Sequence, residues 1–568
     1  MENKTTNAMR IALALKRHGV TEIFGQSNPP TVLLAAEAIG IRQIGFRAEN
    51  SGSYMAQGFS MCSGKVSVIA AQNGPAATLF VPGLAECLTA SHPVVALVQD
   101  VASNNMDRNA FQEVDHVKLF EGVAKWIKRI PHNSRIEDYV DMAFVAASSG
   151  RPGPAVLLLP SDIIFDPTEY DIDPGRNISL GYYPLDRVGA DQEQIKKAAA
   201  LLASAKKPFI YAGGGVISSQ ASQELRDIQE ECCIPVATTT MGKGCVDEKH
   251  PLSLGPIGYY MGKRGVSKFV KPMVDEADVI LLVGNRTNQN GTDSWTLLPK
   301  GATYIHIDID PMEIGRNYES VRVMGDAKLA LAQLKEALTA EDLSARKDER
   351  AGIEEFIAKA KAQHVEEAKD ATEADTAPIR TEQFLTVLDK KLDADHIVVA
   401  DASISSVWIA NYITATEQRK FVFPRGLAGL GWGLPLAMGA KIAQPGKKVF
   451  CLAGDGGFGH VWSELETCKR ENVNVCVAVI NNEILGYQKH AERALLGTST
   501  TAVDLTAVDH CKVAEGCGIK AIKVSTAEEI ADAIDEALAY DGPVVIDMVT
   551  EPQCIPPIPF MEVVDILL

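Results

Sequence analysis

The sequence predicts an α/β chain built on parallel sheets and divided into three successive units. Three observations carry this: short apolar runs, helix-spaced stretches between them, and two shifts in composition. The runs are Val66–Ala71, Val94–Val98 and Ala155–Leu159, then Phe209–Ala212, Val279–Val283 and Tyr304–Ile309, then Ile397–Ala400, Val449–Leu452, Val475–Ile480 and Val544–Met548. Runs this short, with little polar alternation, read as strands buried on both faces, as the strands of parallel sheets are. The intervening stretches carry helix spacing and helix stops, as where Met9, Ala12, Leu13 and Leu15 are followed by Gly19. Strands alternating with helices build α/β layers. The first composition shift, Asp166–Asp191, is rich in Pro, Asp, Gly and Tyr. The second, Thr339–Arg380, is charged and Ala-rich and ends at Thr376-Ala377-Pro378, which reads as a solvated helix and linker. The expected units are 1–185, 190–340 and 381–568, with a linker over 341–380.

Composition narrows the function. The chain has 568 residues, 46% hydrophobic and 23% charged, which excludes a wholly disordered protein. Lys plus Arg number 55 against 73 Asp plus Glu, a formal charge of −18, which argues against general binding to nucleic acid or anionic membranes. Eleven cysteines, an odd number with no C-x-x-C spacing, exclude a complete disulfide framework and fit reduced thiols. No apolar run approaches the ~20 residues that cross a bilayer, and Met1-Glu2-Asn3-Lys4-Thr5-Thr6 is polar. A cytoplasmic location is the expectation.

The sharpest motif lies in the third unit. The run Val449–Leu452 leads into Ala453-Gly454-Asp455-Gly456-Gly457, and Val475–Ile480 leads into Asn481-Asn482, with twenty-four residues between Gly456 and Asn481. This is a strand end with one carboxylate, followed by glycines that allow a diphosphate to approach the backbone and by a helix start whose N–H groups favour anions. The next strand delivers an amide oxygen to the same sheet edge. A hard cation such as Mg²⁺ takes one carboxylate, an amide or carbonyl oxygen, and phosphate oxygens. Carboxyl ends of parallel strands are where ligands of such sheets bind.

The motif resembles that of the thiamine-diphosphate enzymes, G-D-G followed about two dozen residues later by N-N. The resemblance implies three doubly wound α/β domains, binding the pyrimidine, forming the centre, and binding the diphosphate. It implies that Asp455, the Asn482 side chain and the main-chain carbonyl of Ile484 hold Mg²⁺, with Gly454, Gly456 and Gly457 at the diphosphate. Phe46-Arg47-Ala48-Glu49-Asn50, then Gly52, Ala56 and Gly58-Phe59, resembles the family's R-H-E…A-A-x-G-Y pattern, with Ala48 where His is common. Glu49 is then the carboxylate that hydrogen-bonds the pyrimidine and activates the coenzyme as its own base.

Further stretches resemble the acetolactate synthase-like branch. They are Phe111-Gln112-Glu113, Ser149-Gly150-Arg151-Pro152-Gly153-Pro154, Tyr211-Ala212-Gly213-Gly214-Gly215, His306-Ile307-Asp308-Ile309-Asp310-Pro311, and Gly426 through Pro435. The resemblance sets Gln112 on the thiazolium side, makes Leu430 the wedge that keeps the coenzyme bent, and gives the Ala428 carbonyl to its amino group. It puts Ser405 and Ser406 near the diphosphate. It also implies a site shared between protomers, hence a homodimer at least and a homotetramer by expectation.

The implied chemistry is decarboxylation of pyruvate or a similar 2-oxo acid to an enamine, which adds to a carbonyl acceptor. Ser27, Asn28 and Lys489 are the candidate substrate residues: Phe24-Gly25-Gln26-Ser27-Asn28 replaces a Gly-Gly turn, and Ala491 stands where the synthases carry a bulky Trp. Ala71–Pro75 and Phe111–Val114 also resemble sulfoacetaldehyde acetyltransferase, a thiamine-diphosphate enzyme that uses phosphate, so acetyl transfer stays open beside carboligation and simple decarboxylation. A non-catalytic coenzyme-binding regulatory subunit and a nicotinamide oxidoreductase resting on Gly213-Gly214-Gly215 are the rivals from other classes. The glycine cluster lacks dinucleotide spacing. Where the synthases hold FAD through R-F-D-D-R, this chain reads Arg286-Thr287-Asn288-Gln289-Asn290, which leaves FAD, ADP or no nucleotide open.

Overall fold

The structure, a computed structural model, describes residues 4–172 and 175–566. Three six-stranded sheets form its framework, and within each every pairing is parallel. The first sheet runs, edge to edge, Arg42–Ile44, Glu22–Gly25, Ser67–Ala71, Val94–Asp100, Pro154–Pro160 and Trp126–Arg129. The third repeats this order of connection with Lys420–Val422, Ile397–Ala400, Val449–Gly454, Cys476–Asn481, Val544–Val549 and Lys520–Val524. The central sheet is wound differently, as Ser253–Pro256, Val236–Thr238, Pro208–Ala212, Val279–Val283, Thr303–Asp308 and Ser320–Met324. Its first three strands go outward in one direction and the last three in the other, the order of a dinucleotide-type fold.

All ten expected runs are strands, shifted by a residue or two at some ends. Those that the periodicity missed are mostly short or lie towards sheet edges: Ser320–Met324 and Lys520–Val524 each bury only one residue, Val323 and Val524, and carry Arg322, Lys520 and Lys523, so their apolar runs are interrupted. Glu22–Gly25 is interior but only four residues long. The helix expected within 339–380 runs Ser344–Thr372. It is largely solvated, yet Ile357 and Ala360 are buried in an apolar cluster with Phe209, Ile280 and Leu282 of the central sheet. No two of the eleven cysteines form a disulfide.

The chain packs as two compact units. One comprises residues 1–186, 424–446 and 461–475, and so holds the first sheet. The other comprises 187–423, 447–460 and 476–568 and holds the central and third sheets. No helix among the described residues is long and apolar enough to cross a membrane.

Candidate active site

In the unit that carries the third sheet, Asp455 follows directly on the strand Val449–Gly454 and opens a single helical turn, Asp455–Phe458. The longer helix expected there begins only at Glu464. The Asp455 carboxylate is 8% exposed and accepts three backbone N–H groups: Gly456 at 2.7 Å on Oδ1, and Asn482 at 3.1 Å and Glu483 at 2.7 Å on Oδ2. Burial pushes its pKa up to about 6, against the pull of those three donors. No basic side chain lies within ion-pair distance of it among the described residues. A buried carboxylate held by amides and lacking a cation is a donor that suits a divalent metal.

The sheet also sorts the two asparagines. Asn481 donates from Nδ2 to Asp547 at 2.8 Å and to the Val508 carbonyl at 3.1 Å, so its amide is committed to the fold. Asn482, 6% exposed, is the amide left for a ligand. Residues 483–485 are sewn to 503–505 by Leu485 N–H to Val503 and Leu505 N–H to Glu483, which fixes the segment that presents Ile484. The glycines serve different needs. A Cβ at Gly454 would meet nothing within 4 Å, whereas one at Gly456 would stand 2.6 Å from Leu485 Cδ2. Gly454 is thus the open position, and Gly456 is glycine for packing.

Ser405 and Ser406 are both 1% exposed, on the helix Ile404–Tyr412 that follows the neighbouring strand Ile397–Ala400. Ser406 donates its hydroxyl to the Asp401 carbonyl at 2.7 Å. Lys489 is ion-paired with Asp504, so the basic group proposed for substrate already has an anionic partner.

The other unit carries Glu49, the first residue of the helix Glu49–Ser63. Its carboxylate is half-buried and has no hydrogen-bond partner among the described residues. The preceding Ala48 has no side chain to cap the helix, and a distant residue does the work instead. Glu464, fully buried, accepts the N–H groups of Arg47 and Ala48 at 3.1 Å and the Thr467 hydroxyl at 2.8 Å. Burial raises the pKa of Glu464, partly offset by these donors. Gln26, in the turn that carries Ser27 and Asn28, donates to the Phe46 carbonyl at 2.6 Å and ties that turn to the same loop.

A second buried carboxylate organises the segment with Ala428 and Leu430. Glu86, 0% exposed, accepts N–H groups from Gly426 at 2.7 Å, Leu427 at 2.5 Å and Ala428 at 3.3 Å. Ala428 is thereby held at φ 60°, a strained conformation for a residue with a Cβ. Leu430 is half-buried beside it. Gln112 also has a positive φ, 58°, and its Oε1 is buried without a hydrogen-bond partner. Neither Glu86 nor Glu464 was found by sequence reasoning. An isolated Glu in a helix pattern carries no local signal of a partner some 400 residues away, as for Glu464 and Arg47.

In the central sheet, Gly213-Gly214-Gly215 is not a phosphate cradle. Gly213 and Gly215 donate their N–H groups to the Val283 and Gly284 carbonyls, and a Cβ on Gly213 would lie 2.3 Å from Gly284 O. The triple glycine allows two strand ends to touch. The segment Arg286–Asn290 is tied to its flanks: Thr287 donates its N–H to Asn285 Oδ1 at 2.9 Å, and its carbonyl accepts from Trp295 Nε1 at 3.0 Å.

Comparison with known proteins assigns three stretches of the chain to one family. Residues 5–119 match the N-terminal TPP binding domain of thiamine pyrophosphate enzymes, 195–334 the central domain, and 401–548 the C-terminal TPP binding domain. A probable acetolactate synthase large subunit of Methanococcus aeolicus is 35% identical over 89% of this chain and 85% of its own length. A second, of Methanocaldococcus jannaschii, is 34% identical over 97% and 93%. The chloroplastic acetolactate synthase 1 of Nicotiana tabacum is 31% identical over 95% and 81%. With three parallel sheets, a buried aspartate beside an asparagine pair and an unpaired glutamate at a helix start, the chain belongs to the thiamine-diphosphate-dependent enzymes, in their acetolactate synthase-like branch.

Proposed function

We propose that the protein is a thiamine diphosphate- and Mg²⁺-dependent 2-oxo acid decarboxylase and carboligase that takes pyruvate or a close analogue as donor and a second carbonyl compound as acceptor. The observation that carries this is Asp455, buried against three amides with no cationic partner. Asp455, the Asn482 side chain and the Ile484 carbonyl would hold the metal and, through it, the diphosphate. Thiamine diphosphate, when bound, supplies the electron sink on which a 2-oxo acid loses carbon dioxide and its acyl carbon is passed on. Glu49 holds and releases a proton at a ring nitrogen of the pyrimidine, and its lack of any other partner leaves it free to do so. Leu430 would be the apolar wedge against the coenzyme and the Ala428 carbonyl would accept from its amino group, in a segment that Glu86 holds through the N–H groups of Gly426, Leu427 and Ala428. Gln112 offers its amide on the substrate side, with Ser27 and Asn28 as further polar groups for the acceptor.

The protein acts in the cytoplasm as a homodimer or homotetramer whose sites each take Glu49 from one protomer and Asp455 from its partner. The deciding experiment incubates the purified protein with thiamine diphosphate and Mg²⁺, first with pyruvate and then with sulfoacetaldehyde plus phosphate, and identifies products by mass spectrometry. Acetolactate is expected from the first mixture. Acetyl phosphate from the second, or acetaldehyde alone from the first, would replace carboligation by acetyl transfer or simple decarboxylation. No product in either would favour a non-catalytic subunit.

A further inference from the structure

Behind Gln112 lies a buried chain of polar contacts that the chemistry above does not use. His116, 0% exposed, faces Asp100 through Nδ1 at 3.1 Å, and its Nε2 accepts the N–H of Gly74 at 3.1 Å. Because Gly74 is the donor, Nε2 bears no proton, and the pattern assigns the ring proton to Nδ1, on the side of Asp100. Asp100 is 2% exposed and is itself fixed by Arg129 Nε at 2.7 Å and the Val101 N–H at 2.9 Å. Burial alone would raise the Asp100 carboxyl, but the contacts from His116 and Arg129 bring it below its usual range, so it stands as an anion facing the ring.

On its other side, the Gly74 backbone is pressed against Gln112. Gly74 has φ 69°, and a Cβ there would stand 2.7 Å from the Gln112 carbonyl oxygen and 2.8 Å from its Cβ. Asn73, 5% exposed, donates Nδ2 to the Phe111 and Gln112 carbonyls, each at 3.1 Å. Gln112 sits at φ 58° with its Oε1 buried and unpaired. Two costs meet in this one residue, a left-handed backbone and an unsatisfied amide oxygen. Such a residue persists only where its surroundings fix it, and an unpaired buried oxygen awaits a ligand or water.

We propose that His116, locked by Asp100, is a positioning residue for Gln112: acting through Gly74, it holds the strained turn that presents the Gln112 amide to substrate. This rests on the coenzyme reading above, which sets Gln112 on the substrate side. The test compares the wild type with His116→Leu, His116→Gln, Gln112→Ala and the Leu–Ala double variant. Amide hydrogen exchange of the coenzyme-free protein is read over residues 72–75 and 110–114, and turnover over the loaded enzyme. His116→Leu is expected to speed exchange in both segments about tenfold and to lower turnover as far as Gln112→Ala does, with no further loss in the double variant. His116→Gln keeps an oxygen acceptor for the Gly74 N–H and is expected to stay within about threefold of wild type in both readouts.

Unchanged exchange over 110–114 in His116→Leu would overturn the proposal. So would a double variant whose loss is the product of the two single losses. Should His116→Leu fail to fold, Asp100→Asn keeps the ring but removes its charged partner. It is expected to speed exchange in the same two segments, and no change there would equally refute the arrangement. If the coenzyme reading itself fails, the wild type will neither bind thiamine diphosphate nor turn over, while the exchange comparison still decides whether His116 holds Gln112.

Discussion

Asp455, a metal ligand on the proposed reading, carries a cost of burial that its pH dependence exposes. Its folded-state pKa of about 6 lies above the ordinary 3.8, and the first cause is burial. Between those two values the folded chain binds a proton more readily than the unfolded one, so the stability of the metal-free protein falls as pH rises through this window. Above about pH 6 the full cost is present, at most about 3 kcal/mol for a shift of this size. Asp455→Asn removes the titration, although its NH₂ group cannot accept from the amides that the carboxylate now serves. The expected outcome concerns the slope. Melted without metal from pH 4 to 8, the wild type should lose stability relative to Asp455→Asn as the pH increases. With Mg²⁺ and thiamine diphosphate added at pH 8 the wild type should rise by several degrees and the variant hardly at all. Parallel curves for the two metal-free proteins would show that Asp455 bears no such cost, and an equal rise for both would remove it from the metal site.

At the scale of elements, the arrangement depends on two helices packed backbone to backbone. Glu49–Ser63 begins with Glu49, and Gly433–Ala443 follows the segment that carries Ala428 and Leu430. A Cβ on Gly58 would stand 2.2 Å from the Leu436 carbonyl oxygen, and one on Gly439 would stand 1.9 Å from that of Met55. Tyr54 stacks on Trp432 at 3.7 Å between ring centroids, next to this contact. Gly439→Ala must therefore part the helices. We expect a loss of about 1–3 kcal/mol in stability, read as a lower melting temperature, with turnover falling further than stability at temperatures where the variant is still folded. Gly446→Ala, where a Cβ would meet nothing within 4 Å, is the control and should leave both unchanged. The pair shows what the sequence discloses and what it withholds. Gly58, in the pattern that follows Glu49, sits at this helix contact, and the runs Val449–Leu452 and Val475–Ile480 announced the strands that bring Asp455 to Asn482. Glu86 and Glu464 stayed hidden because their targets are backbone N–H groups of remote loops, and such donors have no residue type to recognise. Lys489 shows a related limit: its ion-pair partner Asp504 lies beyond the helix that carries it, and a lysine's spacing does not reveal such a pair.

The whole molecule poses one question that no single residue answers, namely whether Glu49 and Asp455 of the same chain serve the same coenzyme. They belong to different compact units, Glu49 with the first sheet and Asp455 with the third. On the proposed reading a homodimer has two sites, each with Glu49 from one protomer and Asp455 from its partner. Glu49→Gln alone should lower turnover by about 10²–10⁴ through loss of proton transfer, and Asp455→Ala alone should lose metal-dependent coenzyme binding. Co-expressed, the two variants assemble at random, and about half of the dimers combine one of each. In such a dimer one site collects both substitutions. The other takes Glu49 from the Asp455→Ala protomer and Asp455 from the Glu49→Gln protomer, and is wild type. Turnover per protomer should therefore recover to about one quarter of the wild-type value, from two preparations that are each nearly inactive. If both residues act within one chain, every site in the mixture carries one lesion, and mixing restores nothing. Two differently tagged chains purified in tandem isolate the mixed dimer, where the expected recovery doubles to about one half, and the factor of two between pooled and purified material distinguishes assembly across protomers from trace wild-type contamination.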